Sequence, residues 1–534
     1  MSGGGPFPRQ GALVWTLPLR TWQREAILDW GSRRPRDYLA VVTPGGGKTR
    51  FAAAVAVGAL QGGFVERLIV VVPTRPLKAQ WTWAVAEAGL QLEPGYRSGA
   101  LTHGMHGVVA TYAQLLEDPA AFRRLARAPT LVVCDEIHHA GDETAWGESL
   151  RQAFDGVPHR LHLSGTPFRT SRTPVTYVRY GDDGVVVADY LYGYQEAVRD
   201  GVARPVVCHP HNAEVVWRDD AGEYRQHLSD AKSPIEQQRA RLRAALADDG
   251  FVTAMVKQGD EIITRLRRRD PDAAGFIAAM SVRHARWIAS IVRRLTGAHP
   301  VVVVAEDNDA DEHLARFRGN KERWLVAVRK VSEGVDVPRL RVELYLTNGT
   351  TDLLFRQLVG RIVRVDGDDR APSYILFPAD PRLLELARAL EADVLGHGDS
   401  TKAPEPPAPA EPASESPPAS LDVREVRHFE DEPWVVGTVD PYALNLKDQA
   451  PAPSAQNPVP LAEEYDRLRK AVAATTAEVV REFAGLTPKD VNAWWVRVER
   501  RRVDECTPEQ LRTRISTMRS WIKRGRTPVS ALRR

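Results

Sequence analysis

Between residues 10 and 205, short apolar runs alternate with stretches of helical spacing. Tyr38–Thr43, Arg67–Pro73, Gly107–Thr111, Thr130–Asp135 and Arg160–Ser164 read as buried strands, and Phe51–Leu60 and Leu77–Ala88 as helices. Strand–helix alternation predicts a parallel, doubly wound sheet. Such sheets bind ligands at the carboxyl ends of their strands. The pattern changes after Pro205. Glu214–Gln226 reads as a hairpin about Asp219–Gly222, and Pro234–Leu246 as a polar helix. Alternation then resumes with strands at Phe276–Met280, Pro300–Ala305, Trp324–Val328, Val342–Leu346 and Ser373–Phe377.

The expected fold class is therefore α/β, two doubly wound parallel sheets followed by an all-α end. The expected domains are a first lobe over 1–205, a connector or small insertion over 206–270 and a second lobe over 271–398. A Pro/Ala-rich linker over 399–460 and a helical module over 461–534 follow. Ala403–Ser420 and Ala450–Pro460 are too poor in apolar residues to pack. Between them, Glu430–Tyr442 holds Trp434 and reads as a docking segment. In the last segment Thr487-Pro488 predicts an N-cap with proline at the first helical position. Thr507-Pro508-Glu509-Gln510 fits a capping box.

A chain of 534 residues can bury large cores without disulfides. Its three cysteines form no CxxC pair, which argues against structural zinc and fits a reducing compartment. The Gly/Pro-rich first ten residues lack an apolar core, and no apolar run approaches the ~20 residues of a membrane span. A cytoplasmic protein without membrane contact is expected. The net charge is +3, but residues 462–534 alone carry 17 Lys/Arg against 10 Asp/Glu. That basic surplus suits contact with a polyanion.

Two strand ends carry chemistry. Thr43-Pro44-Gly45-Gly46-Gly47-Lys48-Thr49 follows one strand and opens a helix. Gly45, Gly46 and Gly47 let backbone amides approach phosphate oxygens, Lys48 suits the β and γ phosphates of ATP, and Thr49 suits Mg²⁺. Val42 stands where the general phosphate-loop pattern wants glycine. Asp135-Glu136 ends another strand. Asp135 is the candidate Mg²⁺ ligand and Glu136 the candidate base for the attacking water.

Six further motifs occur in order along the chain, and together with these two they make the chain resemble a superfamily 2 helicase of the DExH type over about residues 17–366. Leu19-Arg20-Thr21-Trp22-Gln23 resembles the adenine-reading motif, which implies that Gln23 binds the base. Val72–Leu77 and Ala110-Thr111-Tyr112 resemble backbone-contacting motifs, implying Arg75 and Thr111 as nucleic-acid contacts. Asp135-Glu136-Ile137-His138 is the name-giving box, with His138 as a sensor of nucleotide state. Leu163-Ser164-Gly165-Thr166-Pro167 resembles the motif that couples hydrolysis to strand movement, implying Ser164 and Thr166. Ser332–Pro338 resembles the second-lobe motif that faces ATP, implying Gly334 and Asp336. Gln357–Arg364 resembles the arginine-finger motif. Arg361 and Arg364, three apart on an expected helix, should share one face and stabilise transition-state charge.

The resemblance implies ATP-dependent translocation on, or unwinding of, nucleic acid. DNA is favoured over RNA because the box ends in histidine and the Glu-Gly-Val-Asp-Val-Pro run looks like that of RadD, XPB and type III restriction helicases. A double-strand translocase or a targeting subunit of a repair or defence complex remains open, as does an RNA helicase. The C-terminal helices carry Arg497, Arg500, Arg501, Arg502, Arg512, Arg514, Lys523, Arg524 and Arg526, with Trp494, Trp495 and Trp521 among them. They read as a nucleic-acid module with tryptophan in its core, or as a bundle that docks a protein partner.

Overall fold

The computed structural model describes residues 13, 15–142, 144–165, 174–182, 184–219, 222–304, 310–328, 337–365, 370–395, 422–431, 433–436, 460–483, 485–524 and 527. These divide into two compact units, one drawn from 1–38, 49–162 and 452–534, the other from 39–48 and 163–451.

In chain order the elements that position the candidate site are α1 (Thr21–Arg33), β1 (Asp37–Val42), α2 (Lys48–Gln61), β2 (Arg67–Val72), α3 (Arg75–Ala86), β3 (Leu92–Glu93), β4 (Gly107–Thr111), α4 (Tyr112–Glu117), β5 (Thr130–Cys134) and β6 (His159–Ser164). In the first unit the strands run β3-β4-β2-β5-β6, all parallel. Their residues are buried on both faces, which is why they read as continuous apolar runs rather than alternating ones. Asp37, at the start of β1, holds β6 by accepting from Arg160 Nε at 2.6 Å and Nη2 at 2.8 Å, and pairs with His162 at 3.1 Å. Hydrogen bonds from Arg160 and His162 hold its carboxyl far below the usual range, against the opposing effect of burial.

The three C-terminal helices, Leu461–Glu482, Pro488–Glu499 and Pro508–Arg524, build a bundle that belongs to the first unit. Both expected caps form: Thr487 Oγ1 accepts from Asp490 N, and Thr507 and Gln510 close a reciprocal box. The bundle is not a separate module. Its first helix runs against the edge strand β3. Leu461 N donates to Gln91 Oε1 at 2.7 Å, the Tyr465 hydroxyl donates to His103 O at 3.1 Å, and Met105 packs on the bundle's apolar core. Covering β3 also shields an open sheet edge.

In the second unit the end of β1 pairs in parallel with Tyr190–Tyr192. A larger sheet has the order Gly222–His227, Val206–Asp219, Ser373–Pro378, Leu340–Leu346, Ala274–Ala279, Trp324–Val328, Val301–Val303. Two expectations are corrected here. Residues 206–270 are not a connector: Val206–Asp219 is a central strand, and helices Ile235–Ala247 and Asp249–Leu266 contribute to the same core. The second of these helices buries Phe251, Val252, Met255, Val256, Gly259, Ile262 and Ile263. Nor is all of 399–460 linker. Asp422–Glu430 and Trp434–Val436 pair antiparallel with Val206–Asp219 and widen the sheet. The expected linker tracts Ala403–Ser420 and, except for Pro460, Ala450–Pro460 lie outside the described residues. Among the described residues no helix is long and apolar enough to cross a membrane, and all three cysteines are buried free thiols.

The polar run His209–Asn212 is satisfied at long range. His211 Nδ1 lies 2.8 Å from His428 Nε2, its Nε2 lies 2.7 Å from Gln258 Oε1, and Asn212 donates to Ser229 and Asp431. Burial, then the His428 ring, pushes the His211 imidazole down to about 3. With the strand detached, the His428 ring is gone and burial is reduced, so the imidazole titrates closer to the ordinary value of ~6.5. Neutral His211 therefore stabilises the docked strand above that pH, and the stabilisation is lost as pH falls toward 3. Exchange protection of the Asp422–Glu430 amides, corrected for intrinsic rates, should drop between pH 7 and pH 5 more than that of Ser373–Pro378. Equal pH dependence of the two strands contradicts this.

Candidate functional site

The phosphate loop leaves β1 with Thr43 N donating to Tyr192 O and Gly46 N donating to Thr43 O, both at 2.9 Å. Gly45 and Gly47 adopt φ of 80° and 96°, conformations that favour glycine. Gly46 is required for a different reason: a β-carbon there would meet Val42 Cγ1 at 2.6 Å and Thr43 O at 2.9 Å. Val42, the departure from the general pattern, thus packs beneath the loop.

The helix Asp352–Ile362 lies against this loop within the second unit. A β-carbon on Gly360 would stand 2.4 Å from Pro44 Cβ, and one on Gly45 would stand 3.2 Å from Arg364 Cγ. The shared-face expectation for the two arginines is corrected. The helix ends at Ile362 with Val363 as its cap, and Arg364 has left it to form a bridge with Ala203. Arg364 goes to the loop. Arg361 turns onto the sheet, its guanidinium 5.9 Å from the Phe276 ring centre. Burial and the neighbouring Arg318 push the Arg364 guanidinium down to about 10, an effect that an anion at the loop would oppose. Beside Phe276 in the sheet, the fully buried Glu343 has its carboxyl raised far above the usual range by burial, partly offset by Arg361.

In the first unit β5 delivers Asp135 and Glu136. Asp135 is 2% exposed. Its Oδ2 accepts from the Trp81 indole at 2.8 Å, its Oδ1 from Glu136 N at 3.1 Å, and its carbonyl from the Tyr112 hydroxyl at 3.0 Å. Glu136 sits at φ 49°, a left-handed conformation that costs a non-glycine residue about 1–2 kcal/mol. His139 N closes this turn on Glu136 O at 3.1 Å, and His138 Nδ1 lies 3.6 Å from Glu136 Oε2. The left-handed turn, Trp81 and Tyr112 were not legible as site features. Thr49 follows Lys48 at the start of α2. One buried carboxylate and one hydroxyl are hard oxygen donors of the kind Mg²⁺ takes alongside substrate phosphates. Among the described residues no His/Cys/Asp/Glu cluster suits a metal held by protein alone.

The nucleic-acid candidates separate. Arg75 opens α3 and is exposed, behind an N-cap Thr74 whose hydroxyl makes no cap bond and has no partner among the described residues. Burial, with Arg75 and Arg97 adding to it, pushes Lys78 down to about 8, and Lys78 Nζ donates to Gln114 Oε1 at 2.6 Å. Thr111 is buried and caps α4 through its hydroxyl oxygen. Ser164 is buried at the end of β6. Gln23 is buried too, and its Oε1 accepts from Arg20 N at 2.9 Å, capping α1. Thr166, Gly334 and Asp336 lie outside the described residues, as does Arg526.

In the bundle the tryptophans are packing residues: Trp495 and Trp521 stack at 5.8 Å, and Trp494 meets both edge-on. Arg514 is a correction. It is buried against Glu499 at 2.7 Å and the carbonyl of Arg501, so it holds the bundle together rather than facing a ligand. Arg512 pairs with Glu464. Arg497, Arg500, Arg501, Arg502, Lys523 and Arg524 are exposed.

Residues 16–169 match the model of the type III restriction enzyme res subunit. The uncharacterized protein Rv2917 of Mycobacterium tuberculosis is 42% identical over 416 residues, covering 76% of this chain and 69% of that protein. ML1624 of Mycobacterium leprae is 41% identical over 410 residues, covering 74% and 68%. The DNA 3'-5' translocase XPB2 of Sulfurisphaera tokodaii is 26% identical over 386 residues, covering 67% and 81%. Among solved structures, a fragment assigned to the HsdR subunit of a type I restriction enzyme from Vibrio vulnificus aligns with a TM-score of 0.50 at 16% identity. That alignment covers 72% of this chain and 68% of that one, and it shares the fold.

Gly360→Ala separates helix propensity from the site. In isolation the change favours a helix by about 0.5–1 kcal/mol. Here the new methyl meets the rigid Pro44 ring, and overpacking of this kind costs roughly 1–3 kcal/mol. Relief requires the helix to back away from the loop. Nucleotide affinity, measured with a fluorescent analogue, should fall by about fivefold to a hundredfold. Unchanged affinity contradicts the packing.

Proposed function

Because the chain belongs to the superfamily 2 helicases, in one family with the mycobacterial proteins just described, we propose that it hydrolyses ATP to move along or unwind nucleic acid, with DNA as the track. The observation that carries this reading is Arg364 lying on a glycine-bare phosphate loop. Phosphoryl transfer needs positive charge where charge builds up on the γ-phosphate, and an arginine whose aliphatic stem lies against Gly45 is a source of it. Lys48 and the loop amides bind the phosphates, Glu136 orients and deprotonates the attacking water, and Arg364 stabilises the leaving charge. Arg361 supports Arg364 from the same segment. Thr49 and Asp135 hold Mg²⁺, which when bound neutralises phosphate charge. Gln23 reads the base, and Gly334 and Asp336 complete the nucleotide site.

The strand is gripped through Arg75, Lys78 and the amino end of α3, with Thr111, Ser164 and Thr166 as further contacts. Three features support an anion there: the uncommitted Thr74 hydroxyl, the exposed Arg75, and a Lys78 whose charge its surroundings disfavour. The exposed arginines after Pro488–Glu499 add phosphate contacts. DNA is preferred because the box ends in His138, and because XPB2, a relative over two thirds of this chain, is named as a DNA translocase. A second reading makes the bundle a docking site for a protein partner. It rests on Val496 and Val498, which are 42% and 55% exposed on the same helix as Arg497.

Steady-state ATP hydrolysis without nucleic acid and with single-stranded DNA, duplex DNA or RNA tests the proposal. Stimulation by a DNA form, abolished in Glu136→Gln, is the expected result. Stimulation by RNA alone overturns the choice of track. No stimulation by any of them turns the reading toward a partner-dependent subunit.

A further inference from the structure

Two segments proposed to grip the strand end on one residue. α3 begins at Arg75, and six residues later the Trp81 indole N–H donates to Asp135 Oδ2 at 2.8 Å. α4 begins at Tyr112, directly after Thr111, and the Tyr112 hydroxyl donates to the Asp135 carbonyl at 3.0 Å. The two helices are tied to each other through Lys78 and Gln114. The Tyr112 ring is fixed in turn by stacking on Trp146, at 5.4 Å and 10°. Trp81 and Asp135 are 1% and 2% exposed, so water does not compete for their bond.

A buried tryptophan N–H needs an acceptor, and any backbone carbonyl would satisfy it. Here the acceptor is the carboxylate proposed to hold the metal. With Oδ1 bonded to Glu136 N and Oδ2 to the indole, the carboxylate plane of Asp135 is fixed. The next residue is Glu136, held in its left-handed conformation. A shift of α3 moves Trp81, and a shift of α4 moves Tyr112. Either reorients the Asp135–Glu136 turn.

We infer that Trp81 is a positioning residue. It sets the Asp135 carboxylate for Mg²⁺ and passes strand engagement at the amino end of α3 to the metal ligand, with Tyr112 as a second anchor. This deepens the proposed ATPase reading and rests on it. Partners that orient a metal ligand typically change metal affinity by about 10–100-fold when removed.

Binding of a non-hydrolysable fluorescent ATP analogue, in EDTA and in saturating Mg²⁺, with and without a single-stranded DNA oligonucleotide, separates this role from simple packing. Trp81→Phe keeps an aromatic ring and removes the donor. Its affinity in EDTA should match wild type, while the tightening produced by Mg²⁺ falls about tenfold and no longer responds to the oligonucleotide. Tyr112→Phe loses only a hydroxyl and should shift the Mg²⁺ effect the same way, by less. It also carries the test if Trp81→Phe folds poorly. An unchanged Mg²⁺ effect in the folded variants overturns the inference and leaves the ATPase reading intact. Absence of Mg²⁺-dependent binding in the wild-type protein overturns both.

Discussion

Backbone that must meet phosphate has to be bare, and the second unit is arranged around that constraint. Gly45 and Gly47 carry left-handed backbone, Gly46 sits on the Val42 side chain, and Gly360 rides over the Pro44 ring. Four glycines, one of them more than 300 positions from the others, answer a single packing requirement. Without β-carbons there, the helix Asp352–Ile362 can approach the loop closely enough for Arg364 to lie along Gly45. A buried arginine, costly elsewhere, is thereby brought with its stem against the loop where an anion is expected.

The acidic turn of the first unit solves the complementary problem. Two adjacent carboxylates at a strand end repel each other and need to be aimed. The aiming is done by neighbours rather than by the turn itself. Trp81, Tyr112 and the Glu136 amide together take up Asp135, and the strained Glu136 backbone is held by the surrounding bonds. The same two helices begin at the segments proposed to touch the strand. The distance from strand grip to metal ligand is then a few helical residues, which gives a short physical route from binding to hydrolysis.

Much of this was legible in the sequence because parallel strands buried on both faces appear as unbroken apolar runs. Every such run predicted before residue 205 and after residue 270 falls on an observed strand. The phosphate loop and acidic pair were legible because their chemistry is local. What failed depends on distant partners. His209–Asn212 interrupt an apolar run, and distant partners (Gln258 and His428 for His211, Ser229 and Asp431 for Asn212) make it compatible with a central strand. Strands Asp422–Glu430 and Trp434–Val436 lie about 200 positions from the strand they complete. The helix Asp249–Leu266 carries its buried residues at helical spacing, a local signal. Arg361 and Arg364 diverge because the helix gives way to a bridge with Ala203. Arg514, one of many basic residues in sequence, is singled out only by its burial against Glu499.

The bundle on β3 makes the first unit larger than its sheet. Its tryptophan core and its bonds to Gln91 and His103 fix a basic surface to the unit that also carries α3. The proposed function requires that hydrolysis be converted into displacement. The most direct measurement is release of a labelled third strand from a DNA triplex, run beside unwinding of a forked duplex. Release or unwinding that requires ATP and is lost in Glu136→Gln is the predicted result. DNA-stimulated hydrolysis at full rate with neither release nor unwinding contradicts a translocating or unwinding motor.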